Sequence, residues 1–182
     1  AGTPQSLPDR EGTLIRSSFV RGRNVLIAEG AFASLFAAHQ RHRTAFGIEV
    51  EARHLELFSE FLAGFALHAA SHPRNAVMAW TVHFQDPSLN IFLCGDTECS
   101  SVTGRVFTEG LADEDHNMFY QDLVVRGKAP HRSIVPFEGT HPKGTIEFYY
   151  SQSEQRPGRF FSFGGDRYAL FTAHPDWDQA WF

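Results

Sequence analysis

The stretch Leu55-Glu56-Leu57-Phe58-Ser59-Glu60-Phe61-Leu62-Ala63-Gly64-Phe65, followed beyond Pro73 by Ala76-Val77-Met78-Ala79-Trp80-Thr81-Val82-His83-Phe84, decides the fold. In its first part Leu55, Phe58, Leu62 and Phe65 recur at helical spacing with Leu57 and Phe61 beside them, which predicts an amphipathic helix from about Glu51 to Ser71. Pro73 ends that helix, and His68 and His72 fall in its last turns, where their charged forms would favour the helix dipole. From Ala76 the period changes to two. Met78, Trp80, Val82 and Phe84 take one face of a strand, and Val77, Thr81 and His83 take the other. A wide apolar helix face directly followed by an alternating strand calls for a helix packed on a sheet.

Outward from this centre, Asp86-Pro87-Ser88 reads as a turn. Leu89 to Cys94, Val102 to Thr108, Met118 to Val125 and Ser133 to Phe137 read as strands at hairpin-like intervals. Upstream, Leu14 to Val20 and Val25 to Ala28 flank Arg21-Gly22-Arg23-Asn24, a turn whose glycine tolerates positive φ. A short helix runs from Ala31 to Gln40, and His39 to Arg43 form its solvated end or a loop. Downstream, Ile146, Tyr149, Tyr150 and Ser153 mark one face of a helix opened by Pro142, and Phe160 to Phe163 and Tyr168 to Phe171 close the chain around Gly164-Gly165-Asp166. The class is α+β: residues 1–12 form a polar lead-in, and residues 13–182 form one domain of mostly antiparallel sheet with a long amphipathic helix on it.

The chain has 182 residues, 42% of them hydrophobic and 18 of them Phe, enough to bury about 70% of the unfolded surface. A net charge of -5 offers no footprint for nucleic acid and no polybasic membrane signal. No apolar run reaches the roughly 18 residues of a membrane span. The start, polar with Pro4 and Pro8, is unlike a signal peptide, so a cytoplasmic protein is expected, although Ala1 in place of Met leaves a removed targeting segment open.

Candidate chemistry is sparse. Cys94 and Cys99 are close enough in sequence for a disulfide and equally compatible with two reduced thiols, with Asp96 and Glu98 disfavouring a thiolate. His68 and His72 share a helix face and His39 and His42 lie close together, but no glutamate follows His68 as in the zinc-protease pattern, and no metal site is assigned. Asp113-Glu114-Asp115-His116 reads as a solvated acidic loop. With no nucleophile elbow, phosphate loop or dinucleotide fingerprint, the chain reads as no enzyme and as having no cofactor.

Five segments follow one another in order: Phe19-Val20-Arg21-Gly22; Phe92-Leu93-Cys94-Gly95-Asp96 ahead of Gly104-Arg105-Val106-Phe107; Val135-Pro136-Phe137-Glu138-Gly139; and Tyr149 to Arg159, with Ser153-Glu154-Gln155, Pro157 and Arg159. Over Leu14 to Phe163 the chain resembles the N-terminal core domain of the heat shock protein 33 family, as a divergent member. In these positions Pro157 is expected to stop the helix, Arg159 to pair with Glu138 or Glu154, and Gln155 to cap the last carbonyls. The resemblance implies an ATP-independent, redox-regulated holdase of the stress response, which binds unfolded client proteins and forms a homodimer. It also implies a C-terminal zinc module with four cysteines, which this chain does not contain. The expectation is therefore a core domain, either cut from a longer protein or naturally alone, whose client surface is always open. Trp177, Trp181 and Phe182 would form apolar surface that a longer chain covers. The alternative is a structural or assembly subunit that uses the same fold to hold one fixed partner.

Overall fold

The computed structural model describes residues 12–112 and 114–182; most of the polar lead-in and Asp113 of the acidic run lie outside the described residues. Strands β1 (Ile15–Val20) and β2 (Val25–Ala31) form the first hairpin, with Gly22 and Asn24 at φ 76 and 52 in its turn. Helices α1 (Ala33–Ala45) and α2 (Ala52–Ala70) follow, then β3 (Ala76–Phe84), β4 (Leu89–Asp96), β5 (Ser101–Phe107), β6 (Asn117–Val125) and β7 (His131–Phe137). Helix α3 (Pro142–Gln152), β8 (Gly158–Ser162) and β9 (Arg167–Ala173) complete the chain. Every strand expected from the sequence is present within a few residues. The His39–Arg43 stretch is helical and runs into the last turn of α1, which extends to Ala45, five residues beyond the expected Gln40.

The sheet is two sheets, both wholly antiparallel. One runs in the order β1-β2-β9-β8, the other β5-β4-β3-β6-β7. Helix α2 lies between them, touching β2 and β9 on one side and β4 and β5 on the other. The sequence of α2 explains this placement. Phe58 and every residue from Phe61 to His68 are buried, so the helix is apolar around most of its circumference and needs cover from two directions.

The β3 alternation holds: Met78, Trp80, Val82 and Phe84 point into the core, where Trp80 lies opposite Leu93 of β4 and Gln121 of β6. Close packing leaves room only for glycine at Gly104, where an added Cβ would stand 2.6 Å from Leu93 Cδ2 and 3.0 Å from both Phe58 Cζ and the Phe92 carbonyl oxygen.

Candidate functional site

The C-terminal turns of α2, the centre of β3 and β6 and the exit of α3 converge on one aromatic and polar cluster. Trp80 meets Phe119 edge to face and Phe119 stacks on Tyr149, with ring centroids 4.9 Å and 4.6 Å apart. The Trp80 indole donates to Gln121 Oε1 at 2.8 Å, so its one polar atom is satisfied in the core. His68, fully buried, sits 2.6 Å through Nδ1 from the Tyr150 hydroxyl, and its Nε2 has no partner. His72, one turn on, places Nδ1 2.8 Å from the His68 carbonyl oxygen. That oxygen can only accept, so His72 Nδ1 carries a proton and donates to it. The Tyr149 hydroxyl donates to Glu154 Oε1 at 2.8 Å, and Arg156 reaches Glu154 Oε2 at 3.5 Å and the Ala173 carbonyl at 3.3 Å.

Burial holds the His68 imidazole well below its ordinary pKa, with His72 and Arg156 adding to the effect and the neighbouring Gln121 amide, outside hydrogen-bonding geometry to Nε2, opposing it. The expected cationic His68 at the helix end is thus a neutral core residue, because desolvation outweighs the dipole. Burial also lowers His39, to about 4, with Arg43 and His42 contributing. The sign of the pH dependence follows. Below about pH 6.5 the unfolded chain protonates these histidines while the folded chain resists, so stability falls as pH drops from there toward the depressed folded values. Thermal midpoints measured between about pH 7.5 and about pH 5 should decline, and a flat profile would contradict the neutral assignment.

The Tyr149–Arg159 run is architectural in detail. Helix α3 stops at Gln152, five residues before the Pro157 expected to stop it. Ser153 donates its N–H to the Tyr149 carbonyl, and the Arg156 N–H, not a Gln155 side chain, reaches the Tyr150 carbonyl at 3.4 Å. Gln155 instead supplies the turn with φ 52. Arg159 lies 4.0 Å from Glu147, not near Glu138 or Glu154, and its guanidinium stands over the Phe182 ring at 5.4 Å. Glu154 pairs with Arg156.

The other motif residues are scattered. Arg21 and Gly22 are exposed in the β1–β2 turn, and Gly104 and Arg105 lie on edge strand β5, the latter over Phe107 at 5.1 Å. Glu138 and Gly139 form the turn before α3, where Asn117 Nδ2 donates to the Gly139 carbonyl at 3.0 Å. Cys94 and Cys99 are two free thiols in this structure, Cys94 half-buried on β4 and Cys99 exposed. Burial, with Asp96 adding, pushes the Cys94 thiol up. The C-terminal segment is only partly exposed: Trp177 and Phe182 are half-buried, while Trp181 stays open. Asp178 ties the segment to Arg23 of the first hairpin.

Apolar side chains remain open to solvent where the five-stranded sheet ends. β7 is an edge strand on which Ile134 is 54% exposed, and across a shallow gap α3 presents Phe148, 43% exposed. Pro136 and Phe148 line both a groove of about 820 Å³, bounded by Gln85, Asn117 and Glu138, and an adjoining one of about 420 Å³ that includes Ile134 and Gln152. On the outer face of the same sheet Val77 and Val124 lie directly opposite each other and are exposed. Sequence reasoning missed Phe148 and Ile134 as surface residues, because each sits in an element whose other apolar positions are buried.

Among the described residues no helix is long and apolar enough to cross a membrane. No family model matches the chain, and no curated protein matches it. A solved structure does: the 33 kDa chaperonin, heat shock protein 33 homolog, of Thermotoga maritima superposes with a TM-score of 0.68 at 14% identity, covering 87% of this chain and 60% of that one. This chain thus spans about 60% of the length of that neighbour, and what the two share is the fold, a single α+β domain with two antiparallel sheets.

Proposed function

We propose that this chain is an ATP-independent holdase, a chaperone core that captures unfolded proteins. The observation that carries the reading is the apolar groove at the free β7 edge, where Ile134, Pro136 and Phe148 stand beside backbone groups that β6 leaves unpaired. An extended client segment gains main-chain hydrogen bonds from a sheet edge and apolar burial from such a groove, and neither requires a particular client sequence. The fold shared with a protein called a chaperonin supports the same class of activity. Cys94 and Cys99 are free thiols and neither lines this groove, so capture by this domain is expected in reduced and oxidised protein alike.

The test is the double variant Ile134→Asp, Phe148→Asp. Both positions are exposed, so folding stability should change by no more than about 0.5 kcal/mol each, while suppression of client aggregation should fall several-fold. Full suppression by this variant at unchanged stability would place the client surface elsewhere on the chain.

A further inference from the structure

We propose that His68, His72 and Glu154 form a zinc site that ties the last turns of α2 to the turn after α3. One ring nitrogen of each histidine and one carboxylate oxygen of Glu154 lie within 4.8 Å of one another. Ligands around a tetrahedral zinc ion stand roughly 3.4 Å apart, so small side-chain rotations close the set. Two imidazoles and a carboxylate suit Zn²⁺, whereas Mg²⁺ and Ca²⁺ take all-oxygen shells. The partial exposure of His72 and Glu154 leaves an opening for a water as fourth ligand.

Each ligand is already oriented as metal ligands are. The His72 Nδ1–H donates to a backbone carbonyl, so Nε2 is the nitrogen left to face a ligand, His68 Nδ1 meets the Tyr150 hydroxyl, and Glu154 accepts from the Tyr149 hydroxyl. A buried polar atom without a partner calls for an explanation, an ion among them, and His68 Nε2 is such an atom. Burial keeps both tyrosine hydroxyls protonated, so they remain donors or neutral acceptors and do not compete as anions. Arg156 brings a cation to the cluster, and its 3.5 Å contact with Glu154 is long for a hydrogen bond. It balances the carboxylate while the ion is absent. No cysteine takes part, so the site is distinct in chemistry from a thiolate zinc module.

Zinc sulfate titrated into the full chain, followed by calorimetry and by thermal unfolding, should give one ion per chain and a raised midpoint. His72→Ala and Glu154→Gln each remove one ligand and should weaken binding about 100-fold. Tyr149→Phe, which only releases Glu154, should cost about 10-fold. A Cys94→Ser, Cys99→Ser variant should bind as the wild type does. Absence of binding to the wild-type chain overturns the site, as does affinity unchanged in both His72→Ala and Glu154→Gln. Loss of binding in the cysteine variant overturns it in favour of a thiolate site. Cobalt absorption in the wild-type chain supplies a readout independent of stability: tetrahedral bands that vanish in Glu154→Gln support the site, and bands that persist there refute it.

Discussion

Replacing Trp80 by alanine should cost about 4 kcal/mol of folding stability. The side chain is fully buried and its ring lies 5.3 Å from Phe65, 4.9 Å from His68, 4.9 Å from Phe119 and 5.8 Å from Tyr149, so it joins α2, β6 and α3 at one point. Truncating a buried indole leaves a cavity that these rings, each held by its own neighbours, cannot collapse to fill. The change also strips the donor from Gln121 Oε1 on a residue only 2% exposed, which adds roughly 1–3 kcal/mol for an unsatisfied buried acceptor unless water enters. Domains of this kind hold about 5–15 kcal/mol in all, so the variant should be extensively unfolded at 37 °C. Urea denaturation checks it: the midpoint should fall sharply with little change in slope. A loss under about 1 kcal/mol would contradict the packing described.

The second large effect is expected at Gly158, where alanine should cost about 2–3 kcal/mol. An added Cβ would stand 2.6 Å from Tyr150 Cγ, 2.9 Å from Cδ2 and 3.0 Å from its Cβ. These atoms are the root of a fully buried ring whose hydroxyl is fixed to His68, so they cannot swing aside as a chain tip can. Gly64 is the control. There the added Cβ meets Ile146 Cδ1 at 2.5 Å, the far end of a flexible side chain, and the helix gains from alanine's higher propensity. Gly158→Ala should therefore unfold at clearly lower urea than Gly64→Ala, and the reverse order would show that the α3–β8 junction is looser than its distances imply.

The fold was legible because its elements follow local periodicity. Helix α2 and β3 are each marked by an unbroken apolar pattern, and the turns carry residues such as Gly22 and Asn24 that accept positive φ. The division into two sheets was not legible, since pairing β2 with β9 across most of the chain depends on contacts that no local pattern records. What could have hinted at it is the apolar breadth of α2 from Phe61 to His68, too wide for one sheet to cover. Pairings around the Tyr149–Arg159 run failed for the same reason. Arg159 finds Glu147 because β8 returns alongside α3, a pairing that neither the spacing to Glu154 nor the motif order that suggested Glu138 records. The polar cluster was half legible. His68 and His72 stood out at helical spacing, but Glu154 reaches them from another element, and so the three were not read together.

The holdase reading faces its most direct test in light scattering from a thermally unfolding client mixed with the purified chain, without ATP, under reducing and oxidising conditions. The account predicts stoichiometric suppression of aggregation in both conditions, several-fold weaker in the Ile134→Asp, Phe148→Asp variant. Client aggregation that proceeds unchanged beside the folded wild-type chain in either condition would contradict it.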